Sequence, residues 1–163
     1  MGSGELGTGA GGARMTEAAD RLRLPARLWE EIITHLRSEL PNEGVGLLAA
    51  RMTREGDEQV ATATRFLPGR NQRASPVRYD MDVRDLAAAL REIEDAGEVL
   101  GGIVHSHPVG APTPSRTDLA EAFYPESLMM IVSFGGATPE MKAWKLEGQP
   151  GDWWPRLVPI DLT

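Results

Sequence analysis

The chain has 163 residues, the size of one ordinary domain, able to bury about two thirds of its unfolded surface. It contains no cysteine, which excludes disulfides, thiolate metal sites and thiol nucleophiles, so any metal must be held by nitrogen and oxygen. With 24 acidic residues against 17 basic ones and a net charge of −7, the surface repels phosphate backbones, and nucleic acid is not expected as a partner.

The chain opens on MGSGELGTGAGGARM, a glycine-rich run with neither a basic start nor an apolar stretch. Residues 1–20 read as a leader or tag-like segment, with Met15 as a second candidate initiator, and a single domain is expected over residues 21–163. No apolar run reaches the roughly 18 residues of a membrane span and no secretory signal is legible. A cytoplasmic protein without a membrane partner is the expectation.

From Leu24, apolar residues recur every fourth position at Leu28, Ile32, Leu36 and Leu40. With Pro25 in the first turn and Pro41 as a stop, this spacing predicts an amphipathic helix. His35 lies beside the stripe without a partner histidine and is assigned to packing or surface. Val45 to Arg51 and Gln59 to Phe66 are β-favouring and separated by the charged turn TREGDE, which reads as a hairpin. VRYDM, residues 77–81, is a candidate further strand. Asp82 then caps a helix with Leu86, Leu90 and Ile93 on one face and Gly97 as its stop.

A strand from Val99 to His105 follows, then a proline-rich loop, a short helix from about Ser115, and the apolar strand SLMMIVSF, in which Met129 and Met130 are core. EMKAWKLE is expected to pair with it, and DWWPRLVPID reads as an edge strand broken by prolines. Trp153 and Trp154 either cover the core or sit in a homodimer contact. The order of elements predicts an α+β or mixed α/β domain, helices on a central, largely antiparallel sheet. Gly101-Gly102 and Gly135-Gly136 lack the continuation of a phosphate loop and are assigned to close packing and a turn.

The chemistry concentrates between residues 105 and 118. Alternate side chains of a strand share a face, so His105 and His107 can grip one ion. Asp118 arrives from the next helix after Pro108, Pro112 and Pro114 have stiffened the loop. Two imidazoles and a carboxylate leave a fourth tetrahedral position for water, as a catalytic zinc requires. Ser115 and Asp118 also form an S-x-x-D capping box, and the two roles need not exclude each other.

HSHPVGAPTPSRTD resembles the motif H-[ST]-H-P-x6-S-x-x-D of the JAMM/MPN+ zinc metalloprotease family, and LPNEGVGLLAAR resembles that family's upstream P-x-E-x-x-G-L-L segment. The resemblance spans about Leu22 to Glu147. It implies a cytidine-deaminase-like architecture, Zn2+ on His105, His107 and Asp118, Glu43 as general base, and Ser115 as the hydroxyl that stabilises the oxyanion. Ser106 is placed on the opposite strand face in a structural role. Relatives often carry cysteine at the position of Val45, which is not a ligand. The short span from Asp118 to Trp144 leaves no room for the insertion of linkage-specific members.

The function implied is hydrolysis of a peptide or isopeptide bond at the C-terminal tail of a ubiquitin-like or sulfur-carrier β-grasp protein, in a compact prokaryotic-type member. The tail is expected to lie as an added strand along a sheet edge near the metal. A non-catalytic MPN-type scaffold is the alternative, although such domains usually lack a ligand. A closed structural site lacks its fourth histidine or cysteine here. The H-x-E and P-C-x-x-C of nucleobase deaminases and the HExxH of other zinc proteases are also missing.

Overall fold

The computed structural model describes residues 17–163, so most of the expected leader lies outside the described residues. Its last residues do not behave as a leader. Ala18 and Ala19 are buried, and Asp20 takes bonds from Lys145 and Arg156. Strand β1 (Arg21–Leu24) follows, burying Leu22 and Leu24 while Arg21 and Arg23 pair with Glu58 and Glu55. Leu24 is therefore a strand residue and not the start of the helix. The residue before a proline is driven out of the helical region, and Pro25, at ψ 139°, is itself still extended.

Helix α1 (Ala26–Glu39) buries Leu28, Ile32, Ile33 and Leu36. Leu40, the expected last rung, lies past the helix end and is part-exposed for the same pre-proline reason. Strands β2 (Val45–Glu55) and β3 (Glu58–Gly69) form the hairpin, longer than its apolar stretches. Its two-residue turn places Gly56 at φ +60°, the conformation a tight hairpin demands at that position. His35 packs as assigned, its Nε2 donating to the Val45 carbonyl at 3.0 Å.

VRYDM is not a strand. Only Met81 pairs, in an isolated bridge to Asn71. The loop from Arg70 to Met81 is instead organised by the Asn71 side chain, which donates to the carbonyls of Glu43 and Arg78 and accepts from the backbone of Arg73 and Asp80. Asp82 caps helix α2 (Val83–Asp95), its carboxylate accepting from Arg84 and Asp85, and Gly97 ends it at φ +69°.

Strand β4 (Val99–His107) carries both histidines within it. Helix α3 (Arg116–Ala120) lies in the connection to β5 (Leu128–Ser133), which runs parallel to β4. Strand β6 (Glu140–Gln149) pairs antiparallel with β5, as expected for EMKAWKLE. The tail divides into β7 (Asp152–Val158) and β8 (Ile160–Leu162).

The eight strands of the described residues form one sheet in the order β7-β6-β5-β4-β2-β3-β1-β8, with four antiparallel and three parallel pairings. The tail occupies both ends of that order. Val158 pairs with Ala143 and Ile160 with Leu22, so Pro159 alone carries the chain across and the sheet curls round on itself. Inside the curl, α1 shares one apolar cluster with residues from the strands around it, Met130 included. On the outer face, α2 covers Val45, Leu47 and Ala49, while Met129, Ile131 and Leu146 form a separate cluster against the α3 segment. Trp153 packs on that second cluster, whereas Trp154 is more than half exposed. No helix among the described residues is long and apolar enough to cross a membrane.

Candidate metal centre and active site

The site lies on the outer face of the sheet, at the C-terminal end of β4. His105 stands in register between Val45 on β2 and Ile131 on β5. Its ring is fully buried, and His107, two residues on, points to the same side. Asp118 enters from the first turn of α3, placed by the capping box. Ser115 Oγ accepts from the Asp118 amide at 3.0 Å, and Asp118 Oδ2 accepts from the Ser115 amide at 2.9 Å.

Three donor atoms meet there. His105 Nε2 is 3.2 Å from His107 Nε2, and Asp118 Oδ2 is 3.2 Å from the first and 3.1 Å from the second. Tetrahedral zinc with bonds of roughly 2.0–2.1 Å spaces neighbouring ligands about 3.3 Å apart, so this triangle fits one face of such a site. Its chemistry fits as well. His107 Nδ1 lies 2.7 Å from the Ala111 carbonyl, which can only accept, so Nδ1 carries the proton and the Nε2 lone pair is left for an ion. His105, His107 and Asp118 together form a group able to hold a metal ion.

The electrostatics are those of a site built for positive charge. Burial opposes ionisation of Asp118, but in the metal-free protein hydrogen bonds from protonated Nε2 of His105 and His107 hold its carboxyl far below the usual range. Burial pushes His105 toward the neutral form a ligand needs. For His107 burial is outweighed by Asp118 and the Ala111 carbonyl, and its pKa is raised.

Glu43 precedes β2 and is only 4% exposed, with Oε2 unpartnered. Burial, reinforced by Asp118 and opposed by His107, lifts its pKa from 4.5 to about 7. Its backbone is pinned on both sides: the amide donates to the Ser75 carbonyl at 2.8 Å, and the carbonyl accepts from Asn71 at 2.9 Å. Ser106, on the inner strand face as expected, accepts from the Gly44 amide at 2.8 Å and returns a backbone bond to the Gly44 carbonyl. The structure thus joins His105, His107, Ser115 and Asp118 by direct contacts, with Glu43 near enough for its ionisation to feel His107 and Asp118.

Sequence reading missed Asn71, Tyr79 and the Ala111 carbonyl. Asn71 left a faint signal as an Asn in a turn-rich loop, Tyr79 was absorbed into a strand that does not exist, and a backbone carbonyl leaves none. β4 is hydrogen-bonded on both sides, so it is not the expected free edge; the loops 70–81 and 108–115 border the triad through Tyr79 and Ala111. Val77 and Val109 stand exposed on those loops, and Phe123 at the mouth of an apolar cleft of about 130 Å³ bordered by Tyr79, Leu86, Met129 and Asp118.

Comparison with known proteins points to one family. The family described as prokaryotic homologs of the JAB domain matches residues 25–147. The chain is 35% identical over 123 residues to a desampylase of Haloferax volcanii, spanning 72% of this chain and 84% of that one. It is 34% identical over 112 residues to a CysO-cysteine peptidase of Mycobacterium tuberculosis, spanning 69% and 73%. A Desulfitobacterium hafniense protein solved in solution superposes with a TM-score of 0.74 at 31% identity, covering 87% of this chain and 92% of that one.

Proposed function

The chain belongs to the prokaryotic JAB family, and on that premise we propose that it is a metal-dependent peptidase or isopeptidase acting at the C-terminal tail of a ubiquitin-like or sulfur-carrier β-grasp protein. The observation that carries this reading is the 3.1–3.2 Å triangle of His105, His107 and Asp118 donors with a buried, unpartnered Glu43 carboxylate whose ionisation feels two of them. A scaffold has no use for such a carboxylate, and no ligand is missing.

The metal we propose is zinc, in keeping with the family resemblance; His105, His107 and Asp118 would hold it through two imidazole nitrogens and a carboxylate oxygen, and it would lower the pKa of a water molecule and polarise a carbonyl. Glu43 supplies the proton traffic: a buried carboxylate with an unpartnered oxygen beside the triad accepts a proton from water and returns it to the departing amine. Ser115 serves the oxyanion. Its capping role uses an oxygen lone pair, so the hydroxyl proton remains free to donate. The exposed Val77, Val109 and Phe123 present apolar surface to the incoming protein.

The test is a β-grasp carrier fused through its C-terminal glycines to a short peptide, incubated with the purified chain and read by mass spectrometry. The expected product ends at the last glycine. Cleavage should stop in chelator and return with added zinc, and a fusion left intact under all conditions would refute the reading.

A further inference from the structure

The two imidazoles of the triad are held by different means. His107 uses the device common among metal-binding histidines, a hydrogen bond from the far ring nitrogen, here to Ala111. His105 lacks it: the ring is fully buried, and Nδ1 finds no hydrogen-bond partner among the described residues. What His105 has is Tyr79, whose ring lies 4.5 Å from it, centroid to centroid, at an interplanar angle of 25°. Tyr79 is itself delivered from both flanks, since Asn71 bonds the Arg78 carbonyl on one side and the Asp80 amide on the other.

We propose that Tyr79 is a positioning residue for the metal centre, its ring setting the plane of the His105 imidazole in place of the hydrogen bond that histidine lacks. The inference rests on the metal reading of the triad given above. Stacking defines the ring plane but not which edge points inward; Asp118 Oδ2, 3.2 Å from Nε2, selects the edge. The two constraints together leave one orientation, with Nε2 toward the ion. The role is assigned to the ring and not to the phenol hydroxyl, which the comparison of Tyr79→Phe with Tyr79→Leu tests.

The experiment compares the full chain with Tyr79→Phe and Tyr79→Leu. Metal-free protein is titrated with Co2+, following its visible absorption in competition with a chelator, and each variant is unfolded in urea. Tyr79→Phe should bind Co2+ within about twofold of the parent, and Tyr79→Leu about tenfold more weakly, the scale of losing an aromatic stack or an orienting partner. Turnover should fall with affinity in Tyr79→Leu and recover when Co2+ is saturating. Tyr79→Met replaces the leucine variant if the latter does not fold. In metal-free protein, the carbon-bound ring protons of His105 should show an upfield ring-current shift in the parent and Tyr79→Phe, lost in Tyr79→Leu. Equal Co2+ affinities in the phenylalanine and leucine variants, or unshifted His105 protons in the parent, overturn the role of Tyr79. A parent that binds no Co2+ overturns the metal reading instead.

Discussion

Replacing Glu43 with glutamine keeps its shape and removes its charge, which makes the energetic consequence of burying that charge measurable. In the metal-free protein the carboxyl is lifted from 4.5 to about 7, chiefly by burial. Between those values the folded state holds a proton that the unfolded chain has released, so stability falls as pH rises through the interval. At roughly 1.4 kcal/mol per pH unit, the full effect is about 3 kcal/mol at pH 7 and above. Glu43→Gln has nothing to ionise. Urea denaturation of chelated protein from pH 5 to pH 8 should show the parent losing about 2–3 kcal/mol relative to the variant. The buried amide adds an offset that does not vary with pH, so the difference in slope is the diagnostic quantity. With metal restored, Glu43→Gln should bind the ion and lose hydrolysis by about 100-fold or more. Parallel stability profiles would refute the burial argument, and surviving hydrolysis would refute the assignment of the base.

Asn71→Ala removes four hydrogen bonds, one to the Glu43 carbonyl and three within the 70–81 loop; it should cost about 2–4 kcal/mol in denaturant and lower turnover, since Glu43 and Tyr79 both lose support. Ser106→Ala leaves the buried Gly44 amide without its partner and should cost about 1–3 kcal/mol while metal binding persists, measured by urea unfolding and Co2+ titration. Gly101→Ala would bring a methyl within 2.6 Å of Ala50 Cβ, and the resulting overpacking should lower stability by about 1–3 kcal/mol in the same assay. Asp20 is stabilised as a carboxylate by Gln59, Lys145 and Arg156 against the cost of burial, its pKa lowered from 3.8 to about 2. Its contribution, about 1–2 kcal/mol given partial exposure, should be present above pH 4, vanish as pH falls toward 2, and be missing in Asp20→Asn across an acid titration.

The features read correctly from the chain are the local ones. His105 and His107 share a face because a strand alternates, and Ser115 and Asp118 cap a helix because a hydroxyl and a carboxylate three residues apart satisfy two orphan amides. The α1 stripe and the Asp82 cap are legible for the same reason: their partners lie within a turn or two. What the tertiary structure alone decided is non-local. Leu24 fits both a helical and a strand spacing, and only pairing with β3 and β8 settles it. The tail could not be divided between the two ends of the sheet from its prolines, because Ile160 meets Leu22 from 138 positions away in a register no local signal encodes. Burial lifts the Glu43 carboxyl to about 7, and Tyr79 comes to stack on His105, only because segments distant in sequence meet there. A side chain's identity is written in the chain, but its solvation and neighbours, which set pKa and orientation, exist only after the sheet has curled.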